Sequence, residues 1–493
     1  MNLAGQVRQA AGWSAVSTIV LRAGSLAVGI ALARLLSPKE FGIYAVALTV
    51  QAVLMTLADF GLSTDLVRCD DPKRRAPTVA TLGLILGGSL AGLMALTASS
   101  IAGALASPDS TTVIGLLSLT LLMAGAGVVP FARLQREFRQ RALFGISLAD
   151  FVTSTTLTIG LVLAGWGVLA LAVGRIAAQA VSLVLQFVIA GERPRYGFDR
   201  ALAPSIIAFG LPVALANLLS WALLSIDNAV VVRSLGPVQL GLYVLAFNVS
   251  SWPMGAVGQV VRSVALPAFS RTRVTRPPGP PREDRVLGAG LSVAAGIALP
   301  AGALLAALSS PLIVGLYGAR WQPAAAALVG LGLFGSARVI FDLIAAYLLA
   351  QGRSRPVLLV QLGWLAALVP ALVLLTRQWG IAGAGVAQLA VAIIVAFPAY
   401  LLALHHAGVA LRPLLQTLIR PALGAAAVAA SAAMSAAPFM HPWAALPLGG
   451  LVGTVVATAI VLPAITKRVR ALRAVNPVAT TQPQVPLHPK EMP

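Results

Sequence analysis

The sequence predicts an all-α integral membrane protein, with about fourteen transmembrane helices arranged as two parallel six-helix bundles plus two extra C-terminal helices. Three observations predict it. Of 493 residues, 58% are hydrophobic and 10% charged, at a mean hydropathy of +0.89. A water-soluble domain carries about 25% charged residues, so this chain cannot cover itself with a solvated surface. Its apolar runs are about 20 residues long, enough for a helix to cross about 30 Å of hydrocarbon, whereas a membrane strand needs only about ten alternating residues. Finally, the stretch from Ala33 to Tyr44 is written again from Val232 to Tyr243: Arg34, Pro38, Gly42 and Tyr44 recur as Arg233, Pro237, Gly241 and Tyr243 at a constant offset of 199 residues.

In chain order the spans read at roughly 13–35, 42–62, 78–98, 112–131, 144–164, 168–189, 205–227, 240–261, 288–308, 325–350, 356–375, 381–403, 414–434 and 444–464. Each copy of the motif reads as a tight turn joining two spans, with Pro and Gly supplying the backbone geometry. The first copy joins spans 1 and 2 and the second joins spans 7 and 8, so the repeat unit is six helices. An even number returns the second unit in the same orientation. Trp166-Gly167-Val168 before span 6 and Trp379-Gly380-Ile381 before span 12 support the same division. The expected organisation is a first bundle at 1–190, an inter-bundle loop at 191–204, a second bundle at 205–404, spans 13 and 14 within 405–466, and a basic, Pro-rich tail at 467–493. The Pro-rich stretch 276–282 can hold neither helix nor strand.

Basic residues fix the orientation. Alternate loops hold Arg68 with Lys73, Arg74 and Arg75, then Arg133, Arg136, Arg139 and Arg141, then Arg193, Arg195 and Arg200, while the opposite set holds only Arg34, Lys39, Arg233, Arg320 and Arg377. The positive-inside rule puts both termini in the cytoplasm. The net charge of +20 therefore marks topology; without aromatic interleaving it does not point to nucleic acid. One cysteine excludes an internal disulfide, and four scattered histidines offer no metal-ligand spacing. The N-terminal run carries Arg22 in its middle and lacks a small-residue cleavage site, which argues against a cleaved signal.

Ionisable side chains within spans cost at least about 2.5–3.5 kcal/mol against lipid and should face the interior. Arg22 lies in span 1, Arg175 in span 6, Asp227-Asn228 near the end of span 7, and Arg338 one turn before Asp342 in span 10. Surplus arginines imply a cavity that accepts an anion, since guanidinium forks match phosphate and keep their charge. Gly330 to Gly335 spells GxGxxG, but inside a span and with no preceding strand it does not indicate nucleotide binding. Gly83/Gly87 and Gly88/Gly92 read as close helix packing.

Arg22, the turn from Leu36 to Gly42, and the Asp59-Phe60-Gly61-Leu62 segment together resemble the polysaccharide transporters of the multidrug/oligosaccharidyl-lipid/polysaccharide exporter superfamily. The resemblance implies paired six-helix bundles around a cavity that moves a polyprenyl-pyrophosphate-linked oligosaccharide from the cytoplasmic to the outer leaflet by alternating access, in cell-surface polysaccharide biosynthesis. Arg22, with Arg175 or Arg338, would hold the pyrophosphate, and Asp227 and Asn228 would contact sugar or a coupling cation. The expected partners are the lipid-linked oligosaccharide, membrane lipids, and a polysaccharide polymerase with its export machinery; the expected location is the bacterial inner membrane. No cofactor is expected: with no phosphate-binding Lys motif, energy would come from a cation gradient or the membrane potential. The alternative is a cation-coupled multidrug exporter on the same scaffold, against which the sparse acids of span 1 argue. A membrane glycosyltransferase would need catalytic acids in a sizeable outer loop, and the outer loops are short, so no enzyme activity is expected.

Overall fold

The computed structural model describes residues 20–191, 195–272, 285–436 and 442–475, and every element among them is a helix or helical turn. The chain runs through α1 (20–35), α2 (Pro38–Asp59), α3 (Leu62–Arg68), α4 (Pro72–Leu96), α5 (Ala98–Ala104), α6 (Thr111–Arg136), α7 (Gln140–Leu163), α8 (Val168–Ala190) and α9 (Ala203–Thr272). It continues through α10 (Arg285–Ala307), α11 (Ser309–Tyr317), α12 (Ala324–Ala350), α13 (Ser354–Val391), a π-helical turn (Ala392–Ala396), α14 (Phe397–His406), α15 (Leu411–Ala436) and α16 (Pro442–Val475). Eleven stretches among the described residues are long and apolar enough to cross a membrane. One of them, Ser354–His406, has 53 residues, about 80 Å of helix, far more than a bilayer needs. It turns at Gly380, whose φ of 58° suits glycine. Gly167, in the other Trp-Gly pair, has nearly the same torsions: 53° and −131° against 58° and −142°.

In its first copy the repeated motif makes the expected tight turn, at Leu36 and Ser37 between α1 and α2, but its glycine does not shape that turn. Ser37 caps α2 by a reciprocal pair: its hydroxyl accepts from the Glu40 N–H at 3.3 Å, and its own N–H donates to Glu40 Oε2 at 2.8 Å. Pro38 then occupies the first helical turn, where its missing N–H costs nothing. In the second copy α9 is interrupted at the single residue Gly236, with φ 84° and ψ 175°. Gly42 and Gly241 therefore lie inside helices and shape no turn. They are glycine because backbone passes where a side chain would stand: a β-carbon on Gly42 would overlap the Pro237 carbonyl oxygen, and one on Gly241 would overlap that of Pro38. The contact is reciprocal, as a two-fold relation between the copies requires.

The chain divides into two compact units. The first takes the chain up to Asn248 with Leu312–Leu328 and Leu365–Gln388. Within it α4 lies against α6 through small residues: β-carbons on Gly83 and Gly87 would stand 2.7 and 2.6 Å from the carbonyl oxygens of Gly125 and Leu121. Gly88 and Gly92 do not share this role; no neighbour lies within 4 Å of a β-carbon on Gly92. The second unit takes Val249–Pro311, Val329–Trp364 and the chain from Leu389. There α10, α15 and α16 pack together, and Phe341 stacks on Tyr400 at 5.5 Å and meets Trp364 edge-on at 5.6 Å. The stretch 276–282, Arg193 and the tail from 476 lie outside the described residues.

Candidate functional site

A cavity of about 760 Å³ opens in the first unit, lined by α1, α2, α6, α7 and α8. Its polar wall comes from helix periodicity. On α8 Arg175, Gln179, Ser182 and Gln186 recur at intervals of four, three and four residues and share one face. Ser147, Asp150, Ser154 and Thr158 do the same on α7. The two helices close on each other at one end, where Gly174 leaves room for the Thr158 side chain and the Ser154 carbonyl. Away from that contact the facing polar stripes bound open space.

Arg175 and Asp150 form the charged pair of this wall, with Nη1 and Oδ2 3.6 Å apart and both side chains half-buried. Arg22 also lines the cavity; it is exposed, and its carbonyl accepts a hydrogen bond from the Ser25 hydroxyl at 2.9 Å. Tyr44 contributes an aromatic ring from α2. A smaller space of about 220 Å³ shares Phe131, Gln179 and Gln186 with the first and reaches Asp59 and Ser63, whose hydroxyl donates to the Asp59 carboxylate at 2.8 Å. Of the residues singled out from sequence, Arg22, Arg175 and Tyr44 thus meet in one cavity.

Asp227 and Asn228 do not line it. The Asp227 carboxylate is 1% exposed and takes three donors: Tyr243 Oη at 2.7 Å and Gln388 Nε2 at 3.1 Å on one oxygen, and the Asn228 N–H at 2.9 Å on the other. Tyr243 is thereby explained: the motif's second tyrosine anchors a buried acid. Asn228 donates to Thr49 Oγ1 at 3.4 Å. Arg338 and Asp342 lie on α12 in the second unit. Arg34 and Arg320 exchange caps. Arg34 donates to the Leu316 and Gly315 carbonyls, each at 2.9 Å, at the end of α11. Arg320 donates to the Ala33 and Arg34 carbonyls at the end of α1, where Trp321 Nε1 also reaches the Ala33 carbonyl at 2.7 Å. These carbonyls have no helical partner, and the negative end of each helix dipole meets a permanent cation. Arg233 is exposed.

The polysaccharide biosynthesis protein family matches residues 31–326, more than half of the chain. The chain belongs to this family. Among family relatives, it is 25% identical over 359 residues to the lipopolysaccharide biosynthesis protein WzxC of Escherichia coli, covering 72% of each chain. It is 27% identical over 319 residues to the succinoglycan biosynthesis transport protein ExoT of Rhizobium meliloti, covering 63% of this chain and 62% of that one. In fold it is similar to the lipid II flippase MurJ in an inward closed conformation, with a TM-score of 0.73 at 14% identity over 90% of this chain and 98% of that one. It is also similar to an inward-facing multidrug resistance MATE family transporter of the MOP superfamily, with a TM-score of 0.61 at 15% identity over 80% of this chain and 98% of that one. The all-helical membrane fold read from the sequence is the fold of these two structures, and the family places the chain in polysaccharide biosynthesis.

Asp150, the acid that pairs with Arg175, stands out in the sequence as an ionisable residue within span 5 but was not assigned to the site, and the α8 amides were not singled out. Their signal was present in the intervals from Arg175 to Gln186, which place four polar groups on one face of an apolar span.

Proposed function

We propose that this chain is a flippase that moves a polyprenyl-pyrophosphate-linked oligosaccharide from the cytoplasmic to the outer leaflet by alternating access. The observation that carries the reading is the cavity among membrane-spanning helices of a polysaccharide-family chain, with Arg22 and the Arg175–Asp150 pair on its wall. A polar wall within hydrocarbon is costly unless polar cargo uses it. In this reading the protein sits in the bacterial inner membrane with both termini cytoplasmic. Residues 1–190 and 205–404 are the two moving bundles, 191–204 joins them, and 405–466 and the tail 467–493 are appended. The lipid tail stays in the bilayer. Energy comes from a cation gradient or the membrane potential, and a polymerase takes the product outside.

Deletion of the gene, followed by mass spectrometry of polyprenyl-linked oligosaccharides and of surface glycan, tests it. A lipid-linked repeat unit that accumulates while surface polymer disappears is expected. Unchanged glycolipids with altered sensitivity to cationic drugs would favour the exporter alternative.

A further inference from the structure

We infer that the exchange of caps between Arg34 and Arg320 is a latch: it fastens α1 to α11 at the outer end of the first unit and releases when the transport path opens outward. The orientation and the need to open rest on the transport reading above.

The latch joins distant pieces of chain. Arg34 donates through Nε to the Leu316 carbonyl and through Nη2 to the Gly315 carbonyl, both at 2.9 Å. Arg320 returns two bonds, to the Ala33 carbonyl at 3.1 Å and to the Arg34 carbonyl. The partners are 281 to 287 residues apart in sequence. Both ends belong to the first unit, which takes in Leu312–Leu328, and α11 is where the chain enters that unit after Pro311.

These bonds are of a kind that can open and close. Each acceptor is a carbonyl at the end of a helix, where no helical partner exists and water can take the place of the guanidinium. Both arginines are exposed, so that water is at hand. A buried carboxylate would be left as a bare charge on separation; a carbonyl is not. Arginine also keeps its charge throughout the physiological range, so release follows movement and not titration.

What holds the latch shut is apolar. Trp321, next to Arg320, is fully buried; its indole N–H donates to the Ala33 carbonyl at 2.7 Å and its ring meets Phe41 edge-on at 5.4 Å. Leu36, in the turn after α1, is also fully buried. Opening uncovers this seat, which favours closure until something else favours opening. The device is also one-sided. Gly42 and Gly241 exchange the same contact, but Arg233, which stands in the second copy where Arg34 stands in the first, is exposed and caps no helix end among the described residues. A cap that merely completed the fold of the motif would recur.

The test uses the full-length purified protein with Cys69→Ser, so that an introduced cysteine is the single thiol. Ala33→Cys reports on the latch, and Ala102→Cys, equally buried on α5, reports on the tightness of the fold elsewhere. The rate of maleimide labelling is measured for each. Arg34→Gln with Arg320→Gln is expected to speed labelling of the Ala33→Cys protein at least about tenfold, equivalent to about 1.4 kcal/mol, and to leave the Ala102→Cys protein within about twofold. Lys39→Gln, which removes an exposed cation paired with Asp109, is expected to change neither rate. With both arginines intact, the polyprenyl-pyrophosphate oligosaccharide fraction extracted from the producing cell is expected to speed labelling of the Ala33→Cys protein. Equal acceleration at the two positions, or none at Ala33→Cys, would make the arginines ordinary helix caps and overturn the inference. A contact that the arginine changes loosen but the lipid does not would also overturn it, since transport would then not use the opening. Surface glycan in the deletion strain carrying the wild-type gene is scored separately, so failure of the transport reading is told apart from failure of the latch. Should Ala33→Cys fold poorly, Leu36→Cys carries the same comparison.

Discussion

Gly42 lies against the carbonyl of Pro237, and Gly241 returns the contact against the carbonyl of Pro38. The two copies of one sequence motif thus hold each other where two helices begin, and the atom that either glycine lacks is the atom that would part them.

Gly42→Ala and Gly241→Ala should each lower stability by about 1–3 kcal/mol, because backbone must move to admit the methyl group. The pair should be non-additive, since the first substitution already separates the helices. Thermal unfolding in detergent reads both effects, with Gly92→Ala, which has open space around it, as a near-neutral control.

Trp321 separates hydrogen bonding from packing. Its indole N–H reaches the Ala33 carbonyl, and its ring meets Phe41 edge-on at 5.4 Å while remaining fully buried. Trp321→Phe should cost about 1 kcal/mol for the lost bond, and Trp321→Ala about 3–5 kcal/mol for the lost ring. Equal costs in an unfolding series would mean that the ring contributes little.

For the Arg175–Asp150 pair, removing one partner leaves the other half-buried and uncompensated. Arg175→Met should therefore destabilise more than the double change Arg175→Met with Asp150→Ala, by at least about 1 kcal/mol. A double-mutant cycle on unfolding temperature checks the sign.

Cys69 is the chain's single cysteine and sits half-buried between α3 and α4. Burial, with Asp65 adding to it, pushes its thiol above the ordinary range, while Arg75 and Arg136 pull the other way. A raised pKa means less thiolate at a given pH, so maleimide labelling should be slower than for free glutathione and should climb as pH rises from about 7 to 9. Asp65→Asn removes the anion and leaves both arginines, so it should speed labelling at fixed pH. Slower labelling in that variant would contradict the assignment of causes.

Much of the architecture was legible because its physics is local. Apolar runs long enough to span hydrocarbon identify themselves, and Ser37 followed three residues later by Glu40 spells the capping pair that the structure contains. The role of Gly42 was misread as turn geometry, since a glycine kept for backbone flexibility and one kept for close approach look alike in sequence. Tyr243, Asp227 and Gln388 could not be joined from the chain alone: Gln388 lies 161 residues beyond the acid it serves. Arg22 and Arg175 were visible as intramembrane cations, yet the carboxylate that changes the meaning of Arg175 comes from the neighbouring helix, and only the packing of α7 on α8 supplies it.

The most direct measurement is flipping itself. The purified protein is reconstituted into vesicles loaded with the extracted lipid-linked oligosaccharide, and the fraction of glycan open to an added glycosidase is followed over time. The account predicts exposure faster than in protein-free vesicles, slowed at least about tenfold by Arg22→Gln in protein whose unfolding temperature is unchanged. Exposure at the protein-free rate, from vesicles whose protein still binds the lipid, would contradict it.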